Sequence, residues 1–276
     1  MKSDNDAWQS TSPGPLMAGK RGLIMGVANH NSIAWGIAQA LHQHGAELAF
    51  TYQGEALERR VRPLAEQVGS DLVQHCDVED MAVLGGVFDG LAAKWDGLDF
   101  VVHAIAYSDK EELKGRYVDT SQENFRRTLD VSCYSFTAIA HHAAAMMPKG
   151  GSLLSLSFYG AEKVMPNYNV MGVAKAALEA SIKYLANDLG PSDIRVNGIS
   201  AGPMRTLAGS AIGGARDILR RSQEVAPLKR TLSQEDIGGG ALYLLSDLSR
   251  SVTGEIHHID SGYNAVGMSF AGSGDG

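Results

Sequence analysis

Tyr168 and Lys175 stand seven positions apart in the run Tyr-Asn-Val-Met-Gly-Val-Ala-Lys. On an α-helix seven residues make two turns, so both side chains project from one face, roughly 10 Å apart along the axis. A lysine ammonium near a phenol favours the phenolate and sharpens the phenol as a proton or hydrogen-bond donor. A second pair, Tyr159 and Lys163, has the four-residue spacing of a single turn. Pro166 follows it closely, and a proline with its disfavoured αR neighbour breaks the helix that would hold that pair on one face. Tyr168 has Gly172 at its own fourth position, which leaves Lys175 as its partner. Without a site, Tyr168 would be a buried tyrosine with a satisfied hydroxyl, and Lys175 part of a solvated helix face.

Such a pair needs a rigid scaffold, and the chain supplies a pattern for one. Short apolar runs alternate with helical patterns, which signals a parallel sheet covered on both faces. Strands are expected at Gly22 to Met25, Leu48 to Tyr52, Leu72 to Cys76, Phe100 to Ala104, Ser152 to Leu156, Arg195 to Ile199 and Glu255 to Ile259. The clearest helix runs from about Tyr168 to Leu189 and stops at Gly190-Pro191. No repeat or interdomain linker divides the chain. The expected fold is α/β, a single doubly wound Rossmann domain over residues 17–268 with a seven-stranded parallel sheet. Residues 1–16, polar and carrying Pro13 and Pro15, read as a disordered tail, and residues 269–276 as a flexible one. The run Thr206 to Gly214 is rich in small residues and follows a strand end, so it is either a lid or an ordinary loop.

After the first strand comes Gly26-Val-Ala-Asn-His-Asn-Ser32-Ile33-Ala-Trp-Gly36. Small residues let backbone amides approach a pyrophosphate, and a helix N-terminus adds its partial positive charge. The motif is not G-x-G-x-x-G, and its place after the first strand is what favours a dinucleotide. The second strand ends at Gln53, which can bond a ribose hydroxyl without charge, and Glu55 would repel a 2′-phosphate. That favours NADH over NADPH, although Arg59 and Arg60 follow on the next helix. Asp77, before Val78 at the end of the third strand, suits either an adenine amino group or the cap of the next helix. His103, at the end of the fourth strand, reads as a packed residue.

With 276 residues, 44% of them hydrophobic, the chain can bury one large core. Its formal net charge of −7 argues against a broad nucleic-acid footprint. Cys76 and Cys133, the two cysteines, form no disulfide framework or metal-ligand cluster, as suits a reducing compartment such as the cytoplasm. No apolar run approaches the ~20 residues that span a bilayer.

The residues that converge on one family are Gly26 with Ser32-Ile33-Ala34, Phe50-Thr51-Tyr52-Gln53, Gly160-Ala161-Glu162, Pro166 through Gly172, Lys175, Ile199 through Pro203, and Arg205-Thr206. Over about Gly19 to Met268 the chain resembles a short-chain dehydrogenase/reductase, and within that superfamily the bacterial NADH-dependent enoyl-acyl-carrier-protein reductases. Their tyrosine-to-lysine spacing is the wider one. The resemblance implies hydride delivery from NADH to C3 of a trans-2-enoyl thioester on acyl carrier protein, the last reductive step of type II fatty acid elongation. Tyr168 would donate a hydrogen bond to the thioester carbonyl oxygen as enolate charge develops. Lys175 would hold the nicotinamide ribose hydroxyls. The cofactor NAD(H) would lie against Gly26, Ser32, Ile33, Gln53, Asp77, Val78, Ile105, Lys175 and the run Met204, Arg205, Thr206, Leu207, Ala208. Ser108, Phe158 and Tyr168 would face the substrate. The chain departs from the family at Phe158, where a second tyrosine is often found; phenylalanine acts there by shape alone. The resemblance also implies a homotetramer, with the last strand at a subunit interface, no metal, no nucleic acid and no membrane. His257 and His258, adjacent on that strand, face opposite sides and make a poor metal pair.

Two other readings remain open at this point. One is a ketone or alcohol reductase built on Tyr159 and Lys163. The other is a regulator that senses NAD(H) without chemistry, against which the presence of both Tyr168 and Lys175 counts.

Overall fold

The computed structural model describes residues 15–206 and 213–268. Seven strands form one sheet: β1 (Arg21–Met25), β2 (Glu47–Tyr52), β3 (Val73–His75), β4 (Phe100–His103), β5 (Gly151–Ser157), β6 (Ile194–Ala201) and β7 (Ile256–Ile259). Their order is β3-β2-β1-β4-β5-β6-β7, and every neighbouring pair is parallel. The expected seven strands are all present, with ends that move by one or two residues. The tails expected at 1–16 and 269–276 lie outside the described residues, apart from Pro15 and Leu16.

Both faces of the sheet are apolar, and the period-two alternation decides which core each side chain joins. Along β1, Ile24 faces one core, while Leu23 and Met25 face the other. The first core is roofed by α1 (Ile33–Gln43), α2 (Glu55–Gln67) and α8 (Gln234–Leu245), through Trp35, Ile37, Leu64, Ile237 and Leu244. The second is roofed by α3 (Met81–Ala92), α5 (Ser135–Ala145) and α6 (Asn169–Leu189), through Leu84, Phe88, Ile139, Leu178 and Ile182. Each fully buried side chain of this kind contributes about 1.5–3 kcal/mol. Two further helices are α4 (Gln122–Leu129) and α7 (Ala215–Val225), of which α4 packs against α6.

Local signals set the helix ends. Asp80 caps α3 by accepting from the amides of Ala82 and Val83, so this cap is made by Asp80 and not by Asp77. Ser233 and Asp236 form a reciprocal capping box at α8, and Arg230 beside Asp236 holds its carboxyl below the usual range. The other end of α8 is closed from the sheet. The half-buried Arg195 guanidinium on β6 donates to the Leu244 carbonyl at 2.7 Å, the Ser249 hydroxyl at 2.8 Å and the Ser246 carbonyl at 3.2 Å. A cation is favoured at that helix C-terminus.

Between α4 and α5 the chain makes a π-helical turn over Asp130–Tyr134. Ser132 in this turn accepts from the Tyr107 amide and donates to its carbonyl, which ties down the segment after β4. Just beyond the turn, the Ser135 hydroxyl lies 2.9 Å from His103 Nε2, and Ser155 of β5 lies 2.8 Å from Nδ1. His103 is therefore packed and hydrogen-bonded on both ring nitrogens. Complete burial, with the Lys175 charge adding to it, pushes its pKa down to about 3.

Two stability measurements check these contacts. Removing the Arg195 guanidinium takes its charge-assisted bonds from the Leu244 and Ser246 carbonyls, which keep only the serine hydroxyl and amide donors around them. Arg195→Met should therefore cost about 2 kcal/mol, or roughly 4 °C in Tm. An unchanged Tm would dismiss the clamp. The second concerns His103. An unfolded imidazole titrates at its ordinary value near 6.5 and the folded one near 3, so the unfolded state gains the proton first as pH falls. The stability that His103 contributes is complete above pH 6.5 and drops below it, by about 2 kcal/mol at pH 5. His103→Gln keeps polar partners for both serines but does not titrate, so its Tm should fall less than the parent's between pH 7 and pH 5. Parallel Tm curves would show that His103 does not carry this dependence.

Candidate active site

The site gathers at the carboxyl ends of the central strands. Gly26 leaves β1 with φ +99°, and a Cβ there would stand 2.1 Å from the Ala104 carbonyl oxygen of the loop after β4. Only glycine permits both the backbone turn and this approach. The loop then folds onto Ser32, whose hydroxyl accepts from the amides of Ala28 at 3.0 Å and Asn29 at 3.1 Å. Ser32 precedes α1 but makes no side-chain cap, so the Ile33 and Ala34 amides of the first turn have no partner among the described residues. An open helix N-terminus beside a glycine turn fits a dinucleotide pyrophosphate.

Gln234, the first residue of α8, holds this loop from outside by donating to the carbonyls of Ser32 at 2.6 Å and His30 at 3.0 Å. Beside it lies a cleft of about 370 Å³, whose walls include Asn31, Met204, Arg205 and Gln234. The sequence carries no signal for Gln234; its role follows from α8 packing across α1.

Most of the other predicted cofactor residues that are described follow the carboxyl ends of the strands. Gln53 follows β2 and is exposed, ahead of Gly54, the N-cap of α2, with φ +74°. Glu55 pairs with Arg59 at 3.6 Å on the surface, so that arginine faces a carboxylate of its own helix. Asp77 accepts from the Glu79 amide at 3.0 Å, and Val78 is buried next to it. Ile105 follows β4 and packs against the second core. Met204 packs against the first, Arg205 is exposed, and the Thr206 amide donates to the Met204 carbonyl at 3.0 Å. Leu207 and Ala208 lie outside the described residues, as does most of the 206–214 segment.

Tyr168 is seated by its neighbours in sequence. Asn167 and Asn169 both take positive φ, +56° and +36°, and asparagine tolerates that region better than other side chains. Their amides anchor the turn: Asn167 donates to the Gly213 carbonyl at 2.7 Å, and Asn169 to the Glu112 carbonyl at 3.3 Å. The left-handed Asn169 puts Tyr168 at the N-cap of α6 rather than within its first turn, which differs from the expected start of this helix. The ring packs over Gly160, where a Cβ would come within 2.3 Å of it, and meets the Phe158 ring edge-on at 5.0 Å. Gly172 in turn lets α6 approach the Gly160 carbonyl.

The Tyr168 phenol bonds to no described residue, although the ring is 6% exposed. Burial, then the charge of Glu179, holds its pKa above the ordinary tyrosine value. Burial thus opposes the phenolate that a nearby lysine would favour, and the phenol stays protonated. The Lys175 ammonium is also buried, and it donates to the Leu156 carbonyl at 2.7 Å. Burial lowers its pKa to about 8, with Cys133 and Glu179 opposing the shift. The pair therefore consists of a neutral phenol held as a hydrogen-bond donor and a cation anchored to the end of β5.

On the opposite wall, the Ser108 hydroxyl takes a bond from Thr128 at 2.9 Å and stands 3.3 Å from the Asn124 side-chain oxygen. The Tyr159–Lys163 pair is not assembled. Tyr159 packs against Tyr263 at 5.7 Å and points to the Asn264 carbonyl, and Lys163 is exposed.

Comparison with known proteins agrees with this geometry. The model of the family described as enoyl-(acyl carrier protein) reductase matches residues 26–264. A curated relative from Rhizobium meliloti, enoyl-[acyl-carrier-protein] reductase [NADH] 1, is 64% identical over 253 residues, covering 92% of this chain and 93% of its own. The crystal structure of FabI from Candidatus Liberibacter asiaticus superposes with a TM-score of 0.90 at 57% identity, covering 92% of this chain and 98% of that one. The enoyl-acyl-carrier-protein reductase of Anaplasma phagocytophilum, solved with NAD, gives 0.90 at 57% identity over 95% of this chain and all of its own. The chain belongs to the enoyl-acyl-carrier-protein reductase family.

Proposed function

We propose that the chain reduces the trans-2 double bond of enoyl thioesters on acyl carrier protein with NADH, the last reductive step of type II fatty acid elongation. The observation that carries this is the seat of Tyr168: a buried, neutral phenol without a partner among the described residues, edge-on to Phe158, two helical turns from an anchored cation. Relatives with this architecture are named as NADH-dependent reductases of that substrate.

Bound NADH supplies the hydride to C3 of the enoyl group. Tyr168 donates a hydrogen bond to the thioester carbonyl oxygen, where the negative charge gathers. A pKa above the ordinary value keeps the proton on the phenol, so Tyr168 stabilises that oxygen without giving the proton up, and the enolate takes the proton it needs at C2 from solvent water. Lys175 holds the nicotinamide ribose hydroxyls and adds positive potential. Phe158, which has no hydroxyl, bounds the acyl chain by shape and fixes the Tyr168 ring. The α1 N-terminus and the Gly26 turn hold the pyrophosphate, Gln53 the adenosine ribose and Asp77 with Val78 the adenine. Ile105, Met204, Arg205, Thr206, Leu207 and Ala208 cover the nicotinamide end, and Ser108 the substrate side. A ketone reductase built on Tyr159 and Lys163 finds no support in the placement of those side chains.

The working form is a homotetramer. Val173, Ala176, Ala180 and Tyr184 share an exposed face of α6, with Tyr184 75% exposed, and β7 is an edge strand. Burying that face against a second copy is the simplest account of it. The cytoplasm is the site of action, in keeping with the free thiols of Cys76 and Cys133.

Two experiments check these assignments. Oxidation of NADH with crotonyl thioester should proceed, and much faster than with NADPH, because the Glu55 carboxylate close after Gln53 in sequence would repel a 2′-phosphate. Tyr168→Phe should lower kcat by ~10²-fold with little change in NADH affinity, whereas Lys175→Ala should weaken NADH binding itself. Full turnover by Tyr168→Phe would remove the proposed oxygen contact. Separately, native mass spectrometry should show four copies, and Tyr184→Glu should yield smaller species; a monomeric parent would end the tetramer proposal.

A further inference from the structure

Helix α6 meets the end of β5 through two consecutive residues. The Leu156 carbonyl accepts from Lys175, and the next residue, Ser157, donates its hydroxyl to Glu179 in a short hydrogen bond. Glu179 lies one turn beyond Lys175, so the two share a helix face. It is half-buried, and nothing in the mechanism above uses it. A carboxylate is costly to bury, so its place beside a buried ammonium calls for an explanation.

We propose that Glu179 is a positioning residue: it ties the end of β5 to α6 through Ser157, and its fixed negative charge keeps the neighbouring Lys175 an ammonium. This rests on the reading of Lys175 as the residue that holds the nicotinamide ribose. Two features support it. Phe158 follows Ser157 directly, so the same tie sets the ring that packs on Tyr168. The groups around the pair also leave Glu179 a clear role. Lys175 faces Cys133 from the π-helical turn and the uncharged His103 from β4. Glu179 faces Ser157 from β5, Glu162 from the turn after it, His258 from β7, Lys183 from its own helix and the Tyr168 phenol at the start of that helix. Of these, Glu162 is already paired with His258 at 2.6 Å. Burial raises the Glu179 carboxyl, and the Ser157 hydroxyl holds it back.

The test is the pH dependence of NADH binding, followed by fluorescence titration between pH 6 and 9.5, together with kcat/KM for crotonyl thioester over the same range. Parent affinity should fall as Lys175 loses its proton. Glu179→Gln keeps an oxygen for the Ser157 hydroxyl but removes the charge. Its alkaline midpoint should move down by about 0.5–1 pH unit, giving several-fold weaker binding near pH 8.5 and near-parent binding at pH 6.5. Glu179→Asp retains the charge and should stay close to the parent midpoint. Tm is recorded for each variant, and Glu179→Met, neutral and able to pack, replaces the amide variant should that one not fold. A folded neutral variant with the parent's midpoint, or with a uniform loss at every pH, overturns the proposal, since a purely structural tie gives those results. A parent that oxidises no NADH with the thioester overturns the functional reading instead, and the binding curves then decide the role of Glu179 alone.

Discussion

Burial of the Lys175 ammonium is the constraint around which the upper half of the molecule is arranged. A cation taken from water is tolerated only where polar atoms replace its hydration. Here the Leu156 carbonyl does so at 2.7 Å, which requires α6 to press against the last residues of β5. That approach is possible because Gly160 and Gly172 carry no side chain where the turn after β5 meets the helix. The same closeness leaves the Tyr168 ring between Phe158 and the glycine backbone. The position of the phenol is thus fixed by how the lysine is solvated.

Much of this was legible in the sequence, and the parts that were not share a physical reason. The strands could be read because both faces of the sheet are covered, which gives short apolar runs separated by helical patterns. Tyr168 and Lys175 could be paired because proline and glycine remove the alternatives around them. The start of α6 was misplaced by one residue because the left-handed conformation of Asn169 is imposed by its contacts with the Glu112 and Gly115 carbonyls, which are distant in sequence. Gln234, Ser157 and Glu179 gave no signal, since a polar residue at a helix start or strand end looks the same whether it faces solvent or a buried partner. The electrostatic sign at Tyr168 was hidden for a similar reason: spacing shows that a lysine is near, but only packing shows that its ammonium is turned to a carbonyl and that burial dominates the phenol.

The nucleotide end relies on a different economy. Ser32 spends its hydroxyl on the amides of Ala28 and Asn29, which leaves the first amides of α1 for a ligand. Support for the loop comes from α8, through the Gln234 side chain, and α8 is itself fastened by its capping box at one end and Arg195 at the other. The loop proposed to hold the pyrophosphate is therefore supported by an element 202 positions away in sequence, so cofactor affinity and the stability of the α8 region should vary together.

The π-helical turn at Asp130–Tyr134 holds one more residue than a regular helix would need to cover the same rise. α4 and α5 therefore follow one another with their faces out of step by about 100°, the rotation of a single helical position. Ser132 can then serve the Tyr107 backbone while Ser135 meets His103, two targets that an unbroken helix would not present together. What the chain must preserve at this point is a number of residues more than a set of side chains. Substitutions here change contacts one by one, but loss of a single residue would rotate all of α5 by about 100° against the sheet and turn part of its buried face outward.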